Sequence, residues 1–145
     1  MNNALLEMVK RHEGVKKHAY QDSRGIWTIG CGRNIDESGG GLGLSEKEIN
    51  FLLKNDLERC VTELHDDYPW FSDLDSVRQD ALTDIIFNLG ATRLRKFRRA
   101  LASMALWQFE AAASHFLDSK WRVQVGERAE ELAEMIVTGE YRQWH

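Results

Sequence analysis

The stretch His12-Glu13-Gly14-Val15-Lys16-Lys17-His18-Ala19-Tyr20-Gln21-Asp22-Ser23-Arg24-Gly25-Ile26-Trp27-Thr28-Ile29-Gly30-Cys31-Gly32-Arg33-Asn34 decides the reading of this chain. Its middle, Asp22-Ser23-Arg24-Gly25, is turn chemistry: a short Asp side chain bonds the backbone just ahead of it, and glycine accepts a positive φ. Strand formers flank the turn, Tyr20 before it and Ile26, Trp27, Thr28 and Ile29 after it. The pattern predicts a small β-hairpin with a third short strand.

Working outward, Leu5, Leu6, Met8, Val9 and His12 fall roughly on one side of a short helix over residues 4–12. Downstream, the glycine-rich stretch 39–43 reads as a loop. Ser45 and Glu48 then form a capping box, in which each side chain satisfies an orphan N–H of the other. Ile49, Leu52, Leu53, Leu57, Cys60, Val61 and Leu64 follow at helical spacing down to Tyr68, where Pro69 stops the helix. At 1.5 Å per residue that helix is about 35 Å long, enough to tie two lobes together. Val77, Ala81, Leu82, Ile85, Ile86 and Leu89 predict another helix, ended by Gly90. Shorter helices are expected over about 93–105, 108–118 and 124–138, with Gly139 as the last stop. A small sheet followed by helices is an α+β pattern, not the alternation of a parallel sheet.

The chain has 145 residues, 43% hydrophobic and 29% charged, with one proline. That suits one folded domain and excludes disorder. No run approaches the ~18–20 consecutive apolar residues of a membrane span. Met1 to Lys10 lacks a basic start followed by an apolar stretch, so no secretory signal is read and the cytoplasm is the expected place of accumulation. Cys31 and Cys60 are too few for a disulfide framework and lack metal-ligand spacing, which predicts reduced, half-buried thiols.

The net charge of −4 argues against a nucleic-acid binder. Its distribution is uneven: residues 36–84 hold four Lys/Arg against thirteen Asp/Glu, which reads as a solvated helix face. Arg93, Arg95, Lys96, Arg98 and Arg99 put five cations in seven residues. Such a cluster is either a water-exposed helix face or a contact for an anionic polymer or membrane surface.

Glu13 and Asp22 are the candidate chemical pair. A carboxyl at a helix C-terminus faces the negative end of the dipole, which disfavours its ionised form. A carboxyl in a solvated turn stays charged. Two carboxyls in contrasting environments are the arrangement used for general-acid work on a glycosidic bond.

The surrounding residues sharpen that reading. Glu13-Gly14, Ala19-Tyr20, Asp22, Gly25, Trp27-Thr28-Ile29-Gly30 and Gly32 strongly resemble the phage-type lysozymes, an endolysin family. The family motif E-G…Y-x-D-x-x-G-x-x-T-I-G-x-G falls on Glu13, Asp22 and Thr28 without a gap. Asp84-Ile85-Ile86-Phe87-Asn88-Leu89-Gly90 resembles the helix that lines the family's cleft. Ser119-Lys120-Trp121 and Gln124…Arg128-Ala129 resemble its C-terminal signature.

The resemblance implies a single two-lobe lysozyme domain, with lobes of roughly 13–60 and 1–12 plus 61–145 and the sugar polymer between them. It implies hydrolysis of the β-1,4 bond between N-acetylmuramic acid and N-acetylglucosamine in peptidoglycan, with inversion and without metal or organic cofactor. Glu13 would be the proton donor, Asp22 the carboxylate supporting the oxocarbenium-like transition state and the water, and Thr28 a holder of that water. Arg128 would pair with the acid, while Asn34, Phe87 and Asn88 would contact the glycan. A monomer made in the host cytoplasm and dependent on a holin to reach the wall is also implied. A lytic transglycosylase of the same fold, or a non-catalytic glycan-binding module, are the alternatives. The sequence departs from the family pattern at Arg33, where a well-known member has histidine, and at Gly126, where proline is common. Its negative net charge also predicts little long-range steering towards an anionic wall.

Overall fold

The computed structural model describes residues 3–35 and 43–143, so the loop expected at 39–43 lies, except for Gly43, outside the described residues. Two compact units divide the chain, Met1–Leu52 and Leu53–His145.

The first unit opens with α1, Asn3–Glu13, whose last turn carries Lys10, Arg11 and His12 against the negative end of the helix dipole. Of the apolar stripe expected there, Leu6 and Met8 are exposed; the side chains of Leu5 and Val9 lie outside the described set. Next come β1 (Lys16–Gln21), β2 (Trp27–Gly30) and β3 (Arg33–Asn34), an antiparallel sheet in the order β1-β2-β3. Tyr20 pairs with Thr28 and Gln21 with Trp27, so the hairpin and its short third strand stand where the turn chemistry puts them. The helix α2, Glu46–Asp67, follows. Its capping box is formed: Ser45 N–H donates to Glu48 Oε1 at 3.0 Å and Glu48 N–H to Ser45 Oγ at 3.2 Å. Arg33 bonds both the Gly43 carbonyl and Glu48 Oε1 at 2.9 Å, tying β3 to the start of α2.

Burial on α2 departs from its periodicity. Ile49, Leu52 and Leu53 are exposed, and only Cys60 and Leu64 are buried. Apolar spacing predicts the helix correctly, but burial also needs elements that cover the face. Among the described side chains of the first unit, only Thr28 is buried.

The second unit holds the core. After a 3-10 turn at Phe71–Asp73 come α3 (Ser76–Leu89), α4 (Ala91–Arg95), α5 (Arg98–Ala105), α6 (Phe109–Leu117), α7 (Lys120–Val125) and α8 (Glu127–Thr138). Ala81, Leu82, Ile85, Ile86 and Leu89 of α3 are buried, as their spacing predicts. Phe116 is fully buried, its ring centroid 5.3 Å from that of Phe97 and 6.3 Å from that of Trp121. Arg78 fastens α3 to the end of α8, donating to the Ile136 carbonyl at 2.7 Å and the Val137 carbonyl at 2.9 Å. Those are end-of-helix carbonyls with no partner in their own helix, where a cation is favoured.

Two helix boundaries differ from expectation. The span read as 93–105 is broken at Lys96-Phe97 into α4 and α5. A further helix, α7, precedes the last one because Ser119 caps its start, accepting from Arg122 N–H at 3.4 Å, and Gly126 separates it from α8. Both cysteines are free, but neither is half-buried: Cys31 is exposed and Cys60 buried, which pushes the Cys60 thiol pKa up.

Candidate active site

Glu13 is the last residue of α1, and Gly14 turns the chain away with φ of 76°. The exposed Glu13 side chain lies against the turn between β2 and β3. A Cβ at Gly32 would stand only 2.8 Å from Glu13 Oε2, and Gly32 itself has φ of 76°. Glycine is needed there twice over, for the left-handed backbone and for the close approach of the carboxyl.

Asp22 sits in the β1–β2 turn and holds it. Its Oδ1 accepts the Arg24 N–H at 2.8 Å and the Ile26 N–H at 2.9 Å. The Ile26 bond is the main cause that keeps this carboxyl below its ordinary value of 3.8, with the Arg24 N–H and charge adding to it against desolvation. Asp22 therefore stays ionised below the usual aspartate range. The same linkage stabilises the turn fully above about pH 4, and the contribution is lost as pH falls through the lowered folded value.

Thr28 is buried, and its pairing with Asn34 across β2 and β3 brings their side chains together. Thr28 Oγ1 lies 2.9 Å from the Ile26 carbonyl and 3.0 Å from Asn34 Oδ1. The hydroxyl donates to these two acceptors with a single proton, and its own lone pairs stay available to accept.

Glu13, Asp22, Thr28 and Asn34 belong to the first unit; Phe87, Asn88 and Arg128 belong to the second. Phe87 is exposed and lines an open hollow of about 490 Å³ with Leu57, Asp80, Asp84, Arg128 and Tyr141. Arg128 donates from Nε at 2.8 Å and Nη2 at 2.5 Å to Asp84 Oδ1. Tyr141 donates to Asp80, which pushes the phenol up to about 12, since its ionisation would set two negative charges side by side. Asn88 Oδ1 accepts the indole N–H of the buried Trp121 at 2.9 Å, so half of its amide is used to join α3 to α7.

Comparison with known proteins covers nearly all of these positions. The family model described as Phage lysozyme matches residues 10–135. The chain belongs to the phage lysozyme family. Its small sheet followed by helices is the lysozyme-like α+β arrangement, and a lysozyme-like function follows from membership. Probable T4-type lysozyme 2 of Dictyostelium discoideum is 25% identical over 99% of both chains. The endolysin of Salmonella phage P22 is 32% identical over 75% of each. The pre-baseplate central spike protein Gp5 of Enterobacteria phage T4 is 26% identical over 95% of this chain, but over only 28% of its own length.

All seven candidate residues fall within the matched span. Asp84 as the partner of Arg128, and the Tyr141–Asp80 pair, were not foreseen. The available signal was Asp80 and Asp84 one turn apart on α3, on the helix edge that also carries Phe87. Among the described residues no helix is long and apolar enough to cross a membrane.

Proposed function

We propose that this chain is an endolysin-type muramidase that cleaves the β-1,4 bond between N-acetylmuramic acid and N-acetylglucosamine in peptidoglycan by hydrolysis with inversion. The observation that carries the reading is the seating of Glu13 on Gly32, which aims an exposed carboxyl from a helix end across the sheet turn. Glu13 protonates the leaving glycosidic oxygen. Asp22, held ionised by two backbone N–H groups, supports the positive charge that develops at the sugar carbon and orients the attacking water. Thr28 offers a lone pair to that water and holds Asn34 through its Oδ1, so that the Asn34 amide N–H groups face the glycan. Phe87 and Asn88 contact the sugar, and Arg128, steadied by Asp84, supports the acid. Similarity to phage endolysins favours a role in releasing progeny, and the proposal includes that a holin first opens the inner membrane.

Digestion of purified peptidoglycan, with muropeptides resolved by mass spectrometry, tests the reaction. Reducing muramic-acid ends establish hydrolysis. Anhydro ends would move the chain to the lytic transglycosylases, and no products from folded protein would make it a glycan-binding module.

Two substitutions probe the geometry. Asp22→Asn retains the Oδ1 acceptor for the Arg24 and Ile26 N–H groups, so the turn persists while the charge goes. Activity is expected to fall by roughly 100-fold or more, the scale of losing one electrostatic stabiliser, and circular dichroism should be unchanged. If the variant keeps most of its rate, Asp22 is only a turn residue. Gly32→Ala acts through Glu13. The clashing atom is the far end of a flexible side chain, so the carboxyl swings aside at little cost to the fold, leaving about 1–2 kcal/mol of left-handed strain. A misplaced acid lowers kcat on the order of 10- to 100-fold; a normal kcat would show that Glu13 does not need this seat.

A further inference from the structure

The structure divides the basic cluster of residues 93–99. Arg93 Nη2 reaches Gln124 Oε1, and Arg95 Nη2 reaches Asp67 Oδ2, each at 3.2 Å, so these two are tied to neighbouring elements. Among the described residues, the side chains of Lys96, Arg98 and Arg99 have no hydrogen-bond or ion-pair partner. All three line an open hollow of about 500 Å³ that His115, Asp118 and Ser119 complete from the other side. The Ser119 hydroxyl proton is spent on the Phe116 carbonyl at 2.6 Å, which leaves the three cations and the His115 ring as the hollow's side-chain donors.

Three exposed cations lining one hollow make a local positive excess in a chain of net charge −4, and such an excess favours an anion. Two guanidinium groups offer planar forks that match phosphate oxygens. Asp118 decides which anion fits. Three cations against one carboxylate leave two positive charges, a match for a phosphomonoester, which carries about −1.5 to −2 at neutral pH, rather than for a singly charged carboxylate. The hollow is also large enough to admit a phosphate together with the group it is attached to.

We propose that this hollow is a phosphomonoester-binding subsite, used by phosphate either free or on a lipid headgroup. The test is calorimetric titration of the full chain with inorganic phosphate. Saturable binding is expected, weakened about 10-fold or more in Arg98→Gln/Arg99→Gln, as loss of a charge-assisted contact of roughly 1.4 kcal/mol implies. Arg93→Gln/Arg95→Gln should change affinity less than about twofold, because surface charges beyond the hollow are screened. Asp118→Asn should tighten binding. Peptidoglycan hydrolysis and thermal unfolding of Arg98→Gln/Arg99→Gln should match the wild type, and Lys96→Gln gives a milder variant with the same direction of effect.

Vesicles of phosphatidylcholine with and without phosphatidic acid separate the sources. Retention only on phosphatidic acid, lost in Arg98→Gln/Arg99→Gln, assigns the lipid headgroup. Binding of inorganic phosphate without vesicle retention assigns the free ion. The proposal is overturned if neither probe binds saturably. It is equally overturned if Arg93→Gln/Arg95→Gln weakens binding as much as Arg98→Gln/Arg99→Gln, since the cluster would then be a diffuse charged surface.

Discussion

Glu13→Gln is expected to lower peptidoglycan hydrolysis by about 100- to 10,000-fold, the range that a positioned general acid contributes. The substitution is close to isosteric, and Glu13 is exposed at the end of α1, so the fold has little reason to change. The amide keeps its seat on Gly32 and can still accept a hydrogen bond, but it cannot deliver a proton to the glycosidic oxygen. Loss should therefore fall on kcat, with KM little altered, because an interaction made only in the transition state has been removed. Steady-state rates on purified peptidoglycan, paired with thermal unfolding, provide the check. A variant that retains more than about a tenth of wild-type kcat, against the 100-fold minimum of a lost general acid, would sink the assignment.

The second large effect concerns stability. Phe116→Ala should cost about 3–5 kcal/mol, the transfer free energy of a buried ring plus the cavity it leaves. Phe116 is fully buried, with Phe97 and Trp121 against it. Both neighbours are large, planar and held by other contacts; the Trp121 indole is hydrogen-bonded to Asn88. They can only partly collapse into the space, which favours the upper half of that range. Phe51 gives the contrast. It is the same residue type, yet 65% exposed on α2, so Phe51→Ala should lie within about 0.5 kcal/mol of wild type. Urea unfolding of both variants distinguishes them; a Phe116→Ala loss below about 1 kcal/mol, well under the range for buried aromatics, would show that the core of the second unit is loosely packed.

The contrast between Phe116 and Phe51 also marks what a sequence can tell. Elements whose cause is local were legible: the Asp22–Gly25 turn and its strands, the Ser45–Glu48 capping box, the stop before Pro69, and the α3 stripe from Ala81 to Leu89. In each, residues a few positions apart carry the whole physical reason. The break between α4 and α5 at Lys96-Phe97, and the separate helix α7, were not legible. The first has no glycine or proline to announce it, and the second rests on one serine cap within six residues.

At the candidate site the division is the same. The residue types and spacing of Glu13, Asp22 and Thr28 were determined by the sequence alone, and with them the family. Tertiary structure alone decided their partners. Folding β2 and β3 together set Asn34 on Thr28, the β2–β3 turn brought Gly32 to the Glu13 side chain at the end of α1, and packing α8 on α3 joined Arg128 to Asp84. It also separated the tied arginines, Arg93 and Arg95, from Lys96, Arg98 and Arg99, which have no partner among the described residues. Periodicity and motif record which side chains share a face or a turn. A hydrogen bond across 44 residues, as between Asp84 and Arg128, depends on where two separate helices come to rest, and no local pattern encodes that distance.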